Sequence, residues 1–274
     1  MSGDRDDFRL SLWTNDPGRA RAADLGGVDR IGLDLETVGK AARQAGLGTW
    51  ISRHTLDDLP AIRSALRRAR LFVRCDPYGP HSRGQVERLV DAGVAVIMLP
   101  NFEDPDVVLR FLDLVRGRAE VVPLLERMRA AERADRLASI AEIREIHVGI
   151  NDLAVDLALT HRIAVYASPV LDAIATAVTG AGKRLGIGGL GRAFDVDLPV
   201  PSDCVYAQYP RLRANGALLS RSFFRGDLPD RSIAPEVAKL RSRIRFWADR
   251  SETERAIALE ALRSRVGRTG GAPA

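Results

Sequence analysis

Cysteine is scarce in this chain of 274 residues, and its two occurrences, Cys75 and Cys204, lie far apart. Two isolated cysteines provide neither a disulfide framework nor the clustered spacing of a zinc site. We therefore expect both side chains to be reduced thiols.

Long apolar runs are also missing. No segment reaches the roughly 18 consecutive apolar residues that a membrane-spanning helix needs. The first residues read MSGDRDDFRLSLW and carry charges where a signal peptide has its apolar stretch. These absences predict a soluble, cytoplasmic protein with no membrane partner.

Aromatic residues make up only 5% of the chain, and the basic residues behind its net charge of +5 are mostly arginines interleaved with acids. Proteins that bind nucleic acids usually combine a continuous basic surface with aromatic side chains on which bases stack. The sequence indicates neither feature, so we expect no nucleic-acid partner.

Short apolar runs, by contrast, recur eight times and alternate with stretches of helical periodicity. This alternation predicts βαβ units with a parallel sheet. Eight strands are the number in a closed TIM (β/α)8 barrel, so we expect an α/β barrel over residues 1 to 230. The predicted strands are FRLSLWT (8 to 14), RIGLDLE (30 to 36), LFVRC (71 to 75), AVIMLP (95 to 100), EVVPLLE (120 to 126), EIHVGI (145 to 150), RLGIGGL (184 to 190) and GALLSRSF (216 to 223).

Helices are predicted between these strands. Residues 83 to 93 place apolar side chains at helical spacing and end on a glycine. Residues 105 to 117 have proline in the first turn and Gly117 as the stop signal.

A C-terminal helical extension is predicted at residues 231 to 266, because Ser251 and Glu254 have the spacing of a capping box. Its apolar stripe must cover either this barrel or a neighbouring subunit, and we expect a homo-oligomer. The following residues, 267 to 274, are predicted to be disordered.

Two acids stand at the ends of successive predicted strands, Glu126 after VVPLL and Asp152 after EIHVGIN. The carboxyl ends of neighbouring barrel strands converge on one mouth, so these side chains are expected to share a small volume. Like charges at close range need a cation between them, and a divalent metal is the usual solution. The alternative is that each acid caps a helix or pairs with an arginine.

Nearly every other predicted strand end is polar as well. Buried charges need partners, so this distribution favours a catalytic mouth over an inert barrel end. The polar residues at these ends are Asn15, Asp16, Asp34, Glu36, Arg74, Asp76, Asn101, Glu103, Asn151, Ser220 and Arg221.

The strand sequences resemble a known superfamily. The order LFVRCDP, DAGVAVIMLPNFEDPDVV, VVPLLE and EIHVGINDL is similar to the HpcH/HpaI aldolase and citrate lyase β-subunit superfamily, over roughly residues 8 to 224. The resemblance implies that Glu126 and Asp152 hold Mg²⁺ or Mn²⁺, and that Arg74 binds or polarises a pyruvate-type keto acid. It also implies that the backbone around Asn151 and Asp152 meets the carboxylate of that keto acid.

The chain departs from the superfamily pattern after the second strand. Many of its aldolases have a histidine where this chain has Thr37, and its citrate-lyase-like members read DLED where this chain reads DLET. The connection from strand four to strand five is also shorter than in larger relatives. These departures leave the proton-transfer residue and the size of the substrate open.

Forming or breaking a carbon–carbon bond next to a ketone requires an enolate, which either a Schiff-base lysine or a metal can stabilise. Lys183 begins a strand at the wrong end of the barrel, Lys239 follows the barrel, and Lys40 comes after strand two. A metal is therefore favoured. Arg74 would add a fixed cation beside the enolate, although it could instead pair with Asp76 or another acid.

The candidates for proton transfer are His54, Glu36 and water on the metal. His54 follows strand two, and its neutral form suits proton transfer near pH 7, although a loop histidine is more often an ordinary surface residue. His147 lies inside strand six and is expected to be a packed, hydrogen-bonded core residue. His81 and His161 have no distinguishing context.

Glycines dominate the seventh strand, GIGGLG at 186 to 191. Its position argues against a dinucleotide-binding motif. Gly188, Gly189 and Ser220 are candidate substrate-binding residues, and with Arg192 and Arg221 they could bind phosphate. Alternatively, the small residues let the barrel close around a bulky neighbour.

The function predicted from these observations is a metal-dependent lyase or aldolase that joins the enolate of a 2-keto acid to an aldehyde, or cleaves that bond. Two alternatives stay open. One is cleavage of a citryl- or malyl-type coenzyme A thioester, and the other is a non-catalytic barrel that serves as a binding subunit.

Overall fold

Eight parallel strands close into a barrel in which each strand pairs with its sequence neighbours and β1 pairs with β8. The computed structural model describes residues 8–39, 53–195, 198–226 and 228–269. The strands are β1 (Arg9–Trp13), β2 (Arg30–Asp34), β3 (Arg70–Arg74), β4 (Val96–Leu99), β5 (Glu120–Leu125), β6 (Glu145–Val148), β7 (Arg184–Leu190) and β8 (Gly216–Leu219).

The predicted (β/α)8 barrel is confirmed, since every one of the eight apolar runs contains a strand. The runs are apolar because the barrel strands are covered on both faces, by the interior on one side and by helices on the other. The eighth predicted run extends beyond its strand at the carboxyl end. Its strand stops at Leu219, and Arg221–Phe224 form a 3-10 helix that leads the chain away from the barrel.

Twelve α-helices lie in the described part of the chain. They are α1 (Pro17–Leu25), α2 (Leu59–Ala65), α3 (Ser82–Asp91), α4 (Pro105–Val115), α5 (Met128–Ala131), α6 (Ala134–Ala138), α7 (Ile150–Asp156), α8 (Pro169–Gly180), α9 (Ser202–Tyr206), α10 (Gln208–Arg211), α11 (Ile233–Ala248) and α12 (Glu252–Thr269). None of these helices is both long and apolar enough to cross a bilayer.

Both helices predicted between strands are present. Helix α3 spans nearly all of the predicted 83 to 93. Helix α4 begins at Pro105, as predicted, and the Asp104 side chain caps it by accepting a hydrogen bond from the Asp106 N–H. It ends earlier than expected, because the backbone turns left-handed already at Arg116 (φ 53°) before Gly117 (φ 68°).

The C-terminal extension consists of α11 and α12. The predicted capping box is present: the Glu254 N–H donates to Ser251 Oγ (3.2 Å), and the Ser251 N–H donates to the Glu254 carboxylate (2.8 Å). Helix α12 packs on α9 and α10 of its own barrel and buries Leu262 completely. The helix continues through Thr269, into the predicted tail of residues 267 to 274, whose remainder lies outside the described residues.

A buried ion-pair network closes the amino-terminal end of the barrel. Arg30 is 1% exposed and pairs with Glu145 (2.8 Å) and Glu120 (2.9 Å). The carboxylate of Glu145 also bonds His147 Nε2 at 2.9 Å, which confirms His147 as a packed, hydrogen-bonded residue. A side chain at Gly186 would place its Cβ 2.0 Å from that nitrogen, so here a glycine does let the barrel close around a bulky neighbour.

Candidate active site

A cavity of about 480 Å³ opens at the carboxyl ends of the strands. The polar residues predicted at these ends therefore converge, as expected for a barrel. Eight of the nine predicted site residues line this cavity: His54, Arg74, Glu126, Asn151, Asp152, Gly188, Gly189 and Ser220. The ninth, Glu36, is 2% exposed and lies behind Arg74.

The guanidinium of Arg74 is held from three sides. Nε and Nη2 each donate to one oxygen of Asp34 at 2.8 Å, and Nη2 also lies 3.2 Å from Glu36. The ring of Trp13 covers one face, 4.4 Å from the guanidinium carbon. Burial alone would lower the pKa of Arg74, but the charges of Asp34 and Glu36 outweigh it and raise the pKa above its ordinary value. Arg74 is therefore a fixed, permanently charged group.

The segment after β2 is organised by backbone hydrogen bonds. His54 Nδ1 accepts a hydrogen bond from the Asp34 N–H at 3.0 Å, so the neutral ring carries its proton on Nε2. Thr37 donates its N–H to Asp76 at 2.7 Å and is exposed. Asp76 thus anchors this segment and is not the acid that pairs with Arg74.

Glu126 is a buried carboxylate at the end of β5, only 3% exposed. Its Oε1 accepts a hydrogen bond from the Asn101 N–H at 2.9 Å. Space for its other oxygen depends on Gly149, where a Cβ would lie 2.7 Å from Oε2. Burial and the negative charge of Glu36, with a contribution from Asp152, raise the pKa of Glu126 to about 8, although Arg74 opposes the shift.

Asp152 enters the same cavity from the first turn of α7, immediately after β6. The two predicted acids thus face one space, and each is nearly buried. Neither is accounted for by capping alone, because the charge of Asp152 acts directly on Glu126. A cation between them would relieve this repulsion.

The donor set suits a magnesium-like ion. Within the residues that the structure describes, no three histidine, cysteine or acidic side chains form a metal-binding group. Mg²⁺ does not require such a group, because it is commonly bound by one or two carboxylates and completes its octahedron with water and substrate oxygens. Glu126 and Asp152 beside an open cavity meet that requirement.

The raised pKa of Glu126 has a consequence for stability. In the unfolded chain the carboxyl group ionises near its ordinary value of 4.5, whereas in the folded protein it keeps its proton up to about pH 8. Folding therefore takes up a proton between these values, and stability falls as pH rises through that window. In a chelator, we expect the melting temperature of the wild type to fall relative to Glu126→Gln between about pH 5 and pH 8. A constant difference across this range would contradict the shift, and Mg²⁺ should restore the wild type at high pH.

The glycine wall of the cavity is formed by Gly188 and Gly189, where β7 contains a bulge. Gly189 has φ +93°, and a Cβ there would lie 2.5 Å from the Ile150 side chain. Both features require glycine at this position. Arg192 is not among the residues lining the cavity, since its Nη2 donates to the Arg225 carbonyl at 3.1 Å. The phosphate site suggested by the sequence therefore does not include Arg192.

The two lysines in the described part of the chain lie away from the cavity. Lys183 donates to the carbonyls of Ile140 and Ile143 at the amino-terminal end of β7. Lys239 pairs with Glu236 on α11. Lys40 lies outside the described residues.

The residues lining the cavity include several that were not predicted as site residues from the sequence, among them Trp13, Arg162 and Arg221. Trp13 belongs to an apolar strand, and its sequence context is typical of a core residue. Only the closed barrel shows that its side chain lines the cavity. Arg162 comes after α7, away from any strand end. Arg221 lies at the eighth predicted strand end, and the sequence indicates for it only a possible role in binding phosphate.

No protein-family model matches the chain, and no curated protein matches it either. The barrel is similar to a crystal structure of an HpcH/HpaI aldolase/citrate lyase family protein from Burkholderia cenocepacia, with TM-score 0.59, 19% identity and coverage of 79% of this chain and 90% of that one. The fold is that of the HpcH/HpaI aldolase and citrate lyase proteins.

Two further solved structures share this fold. One is a citrate lyase β subunit from M. tuberculosis, complexed with oxaloacetate and magnesium, with TM-score 0.58, 18% identity and coverage of 88% of this chain and 98% of that one. The other is citrate synthase SbnG, with TM-score 0.57, 16% identity and coverage of 78% and 86%. The resemblance predicted from the strand sequences is thereby confirmed for the fold.

Proposed function

We propose that this protein is a divalent-metal-dependent lyase or aldolase, which forms the enolate of a pyruvate-type 2-keto acid and joins it reversibly to an aldehyde. The observation that carries the proposal is the pair Glu126 and Asp152, two nearly buried carboxylates that face one cavity together with the fixed cation Arg74. The similarity to an oxaloacetate- and magnesium-bound citrate lyase subunit supports the same class of chemistry.

Glu126 and Asp152 would hold Mg²⁺ or Mn²⁺, which when bound supplies Lewis-acid stabilisation of the enolate. Arg74 contributes a second positive charge. Its Nε and Nη2 are occupied by Asp34 and Glu36, so Nη1 is the donor left for a substrate oxygen within the described part of the chain. Because the guanidinium is already oriented, it need not reorganise as charge develops.

Glu36 and Asp34 act through Arg74 in this proposal. Glu36 was a candidate for proton transfer, but its position behind the guanidinium makes it a positioning residue. The carboxylate of the keto acid would meet the backbone around Asn151 and Asp152, as the family resemblance implies. Gly188 and Gly189 keep the opposite wall free of side chains.

His54 lines this cavity and has a ring nitrogen that can donate a proton. Its Nδ1 is engaged by the Asp34 N–H, which fixes the tautomer with hydrogen on Nε2. In that form His54 donates a hydrogen bond to an oxygen of the bound substrate. This role replaces that of the histidine that many aldolases of the superfamily have at the position of Thr37.

Cleavage of an acyl-CoA thioester of the citryl or malyl kind is the second candidate. The similarity to the citrate lyase β subunit supports this candidate, because the match covers 98% of the length of that subunit. A panel of acyl-CoA substrates would distinguish it from aldehyde chemistry. Self-association through residues 231 to 266 and a cytoplasmic location stay predictions from the sequence.

Proton exchange tests the proposal without knowledge of the aldehyde. Pyruvate is incubated in heavy water with the protein and Mg²⁺ or Mn²⁺, and the methyl signal is followed by proton NMR. We expect the signal to disappear with protein and metal together, and to persist when a chelator is added. Absence of exchange with any divalent ion would count against the enolate, and a divalent ion that fails to raise the melting temperature would favour a non-catalytic barrel.

A further inference from the structure

His147 lies in the wall of the candidate active-site cavity, deeper in the barrel than the two acids proposed to hold the metal. Its side chain lines the cavity, and it pairs with Leu124 in the register of β5 and β6. Both residues come two positions before Glu126 and Gly149, which is about 7 Å further back along the strands. Since His147 is only 1% exposed, a small part of its ring meets the cavity, at the floor.

Packing alone does not account for a histidine at this depth. Neighbouring interior side chains are apolar, and Val122 and Leu124 of β5 form a buried cluster with Phe72 of β3. The ring of His147 also needs room that glycine provides, because a Cβ at Gly186 would lie 2.0 Å from its Nε2. An apolar ring would fill the same space without the cost of burying a polar group.

The hydrogen bond to Glu145 determines which ring nitrogen carries the proton. The carboxylate of Glu145 already accepts hydrogen bonds from Arg9 at 2.8 Å and from Arg30 at 2.8 and 2.9 Å, so its charge is compensated without His147. Burial alone would raise the pKa of Glu145, but its contacts with His147 and Arg30 lower that pKa below the ordinary value. An ionised carboxylate only accepts, so His147 Nε2, at 2.9 Å, is the donor.

The other ring nitrogen, Nδ1, therefore has a lone pair whenever the ring of His147 is neutral. This atom is buried and has no hydrogen-bond partner in the described part of the chain. The same holds for Ser11 Oγ and for Nε1 of Trp13, which follows two positions along β1 on the same face and lines the cavity. Buried polar atoms nearly always have partners, so this part of the interior is suited to a water molecule or a polar group of the substrate.

The two histidines of the cavity thus present opposite atoms. His54 uses Nδ1 as the acceptor for the Asp34 N–H and keeps a proton on Nε2. His147 uses Nε2 as the donor to Glu145 and keeps a lone pair on Nδ1. The first ring is therefore a hydrogen-bond donor, and the second is a base.

We propose that His147 is the general base that removes a proton from C3 of the keto acid, directly or through one water molecule. This inference rests on the proposed function. The C3–H bond breaks, its electron pair becomes that of the enolate, and the proton goes to Nδ1. In the reverse direction the Nδ1–H returns the proton to C3. The imidazolium that forms in between is stabilised by the carboxylate of Glu145.

Two reactions that share one enolate test this role. Exchange of the methyl protons of pyruvate requires a base, whereas oxaloacetate gives the same enolate by losing CO₂, with no C–H bond to break. His147→Gln keeps a donor for Glu145 and loses the basic lone pair. We expect its exchange rate to fall about 10²- to 10⁴-fold, while the loss of oxaloacetate stays near the wild-type rate. Both rates are measured at saturating Mg²⁺, and the protein-free rate is subtracted.

Two variants serve as controls. His81→Gln makes the same substitution at an exposed histidine that does not line the cavity, and it should alter neither reaction. Glu126→Gln should slow both reactions, because both need the metal. Exchange at the wild-type rate in His147→Gln, or an equal loss of both reactions in a variant that melts like the wild type, would overturn the role of His147 as a base. If His147→Gln does not fold, His147→Asn replaces it.

The position of the ring proton is measured without any substrate. Long-range ¹H–¹⁵N NMR spectra of the wild type, recorded at a pH where the imidazole is neutral, show which nitrogen of His147 carries hydrogen. We expect a protonated Nε2 and an unprotonated Nδ1; a proton on Nδ1 would refute the base whatever the reaction. If the wild type neither exchanges pyruvate protons nor consumes oxaloacetate, the proposed function is wrong. If it does both and His147→Gln does so equally well, only the role of His147 is wrong.

Discussion

Glu126→Gln is expected to reduce the exchange of pyruvate methyl protons by about 10³-fold or more. The substitution keeps the size of the side chain but removes one of the two carboxylates that would hold the divalent ion. Lewis-acid stabilisation of an enolate contributes several kcal/mol, and about 4 kcal/mol corresponds to this factor. The rate is measured by NMR in heavy water at saturating Mg²⁺, beside the change in melting temperature that the ion produces.

Glu142→Gln provides the control for Glu126→Gln. Glu142 is an exposed acid in the connection before β6, outside the cavity, so its loss should alter neither the exchange rate nor the response to Mg²⁺. Exchange at the wild-type rate in Glu126→Gln would show that Glu126 is not a metal ligand. Slow exchange with an undiminished Mg²⁺ effect on melting would instead place the ion elsewhere.

The barrel could be predicted from the sequence because its strands are covered on both faces. Each strand is then a short, nearly continuous apolar run, and the intervening helices show a different period. The residues at which individual strands end were less predictable. The run GALLSRSF contains no signal for the point where β8 ends, because the end is determined by pairing with β7 beyond its bulge at Gly188 and Leu190.

The candidate site was predictable to the extent that it lies at strand ends. Glu126 and Asp152 follow apolar runs directly, and in a barrel this alone brings them to one mouth. The family resemblance, and not the periodicity, suggested roles for them and for Arg74. The structure adds the buried position of Glu126 and the glycine at 149 that makes room for it.

Contacts between distant segments could not be predicted. Asp34 and Glu36 are two acids of one strand end, and the sequence does not show that both face Arg74, forty positions along the chain in the case of Asp34. Likewise, nothing in the loop sequence shows that His54 accepts a hydrogen bond from the Asp34 backbone. Such pairings depend on which side chains the closed barrel turns inward.

Arg74→Met is expected to impair both folding stability and catalysis. Asp34 and Glu36 are 8% and 2% exposed and would lose the cation that they share. Removing one partner of a buried ion pair costs about 3 to 5 kcal/mol. The loss should appear in urea denaturation, where the midpoint falls at an unchanged slope.

The effect of Arg74→Met on catalysis has two parts. The fixed positive charge beside the enolate is lost, which for a single preorganised donor costs about 10²- to 10³-fold. Arg74 also lowers the pKa of Glu126, so its removal moves that pKa further upward and leaves less carboxylate for the metal at neutral pH. The exchange rate of the variant should therefore recover partly as pH is raised, which a purely structural defect would not produce.

Arg74→Lys separates the charge of Arg74 from its geometry. Lysine restores a cation for Asp34 and Glu36, so the urea midpoint should return most of the way to that of the wild type. An ammonium group cannot make the two parallel hydrogen bonds to Asp34 and still present an oriented donor to the substrate, so exchange should stay well below the wild-type rate. If Arg74→Lys restored exchange and stability equally, the proposed orientation of the guanidinium would have no role in catalysis, and its charge alone would account for Arg74.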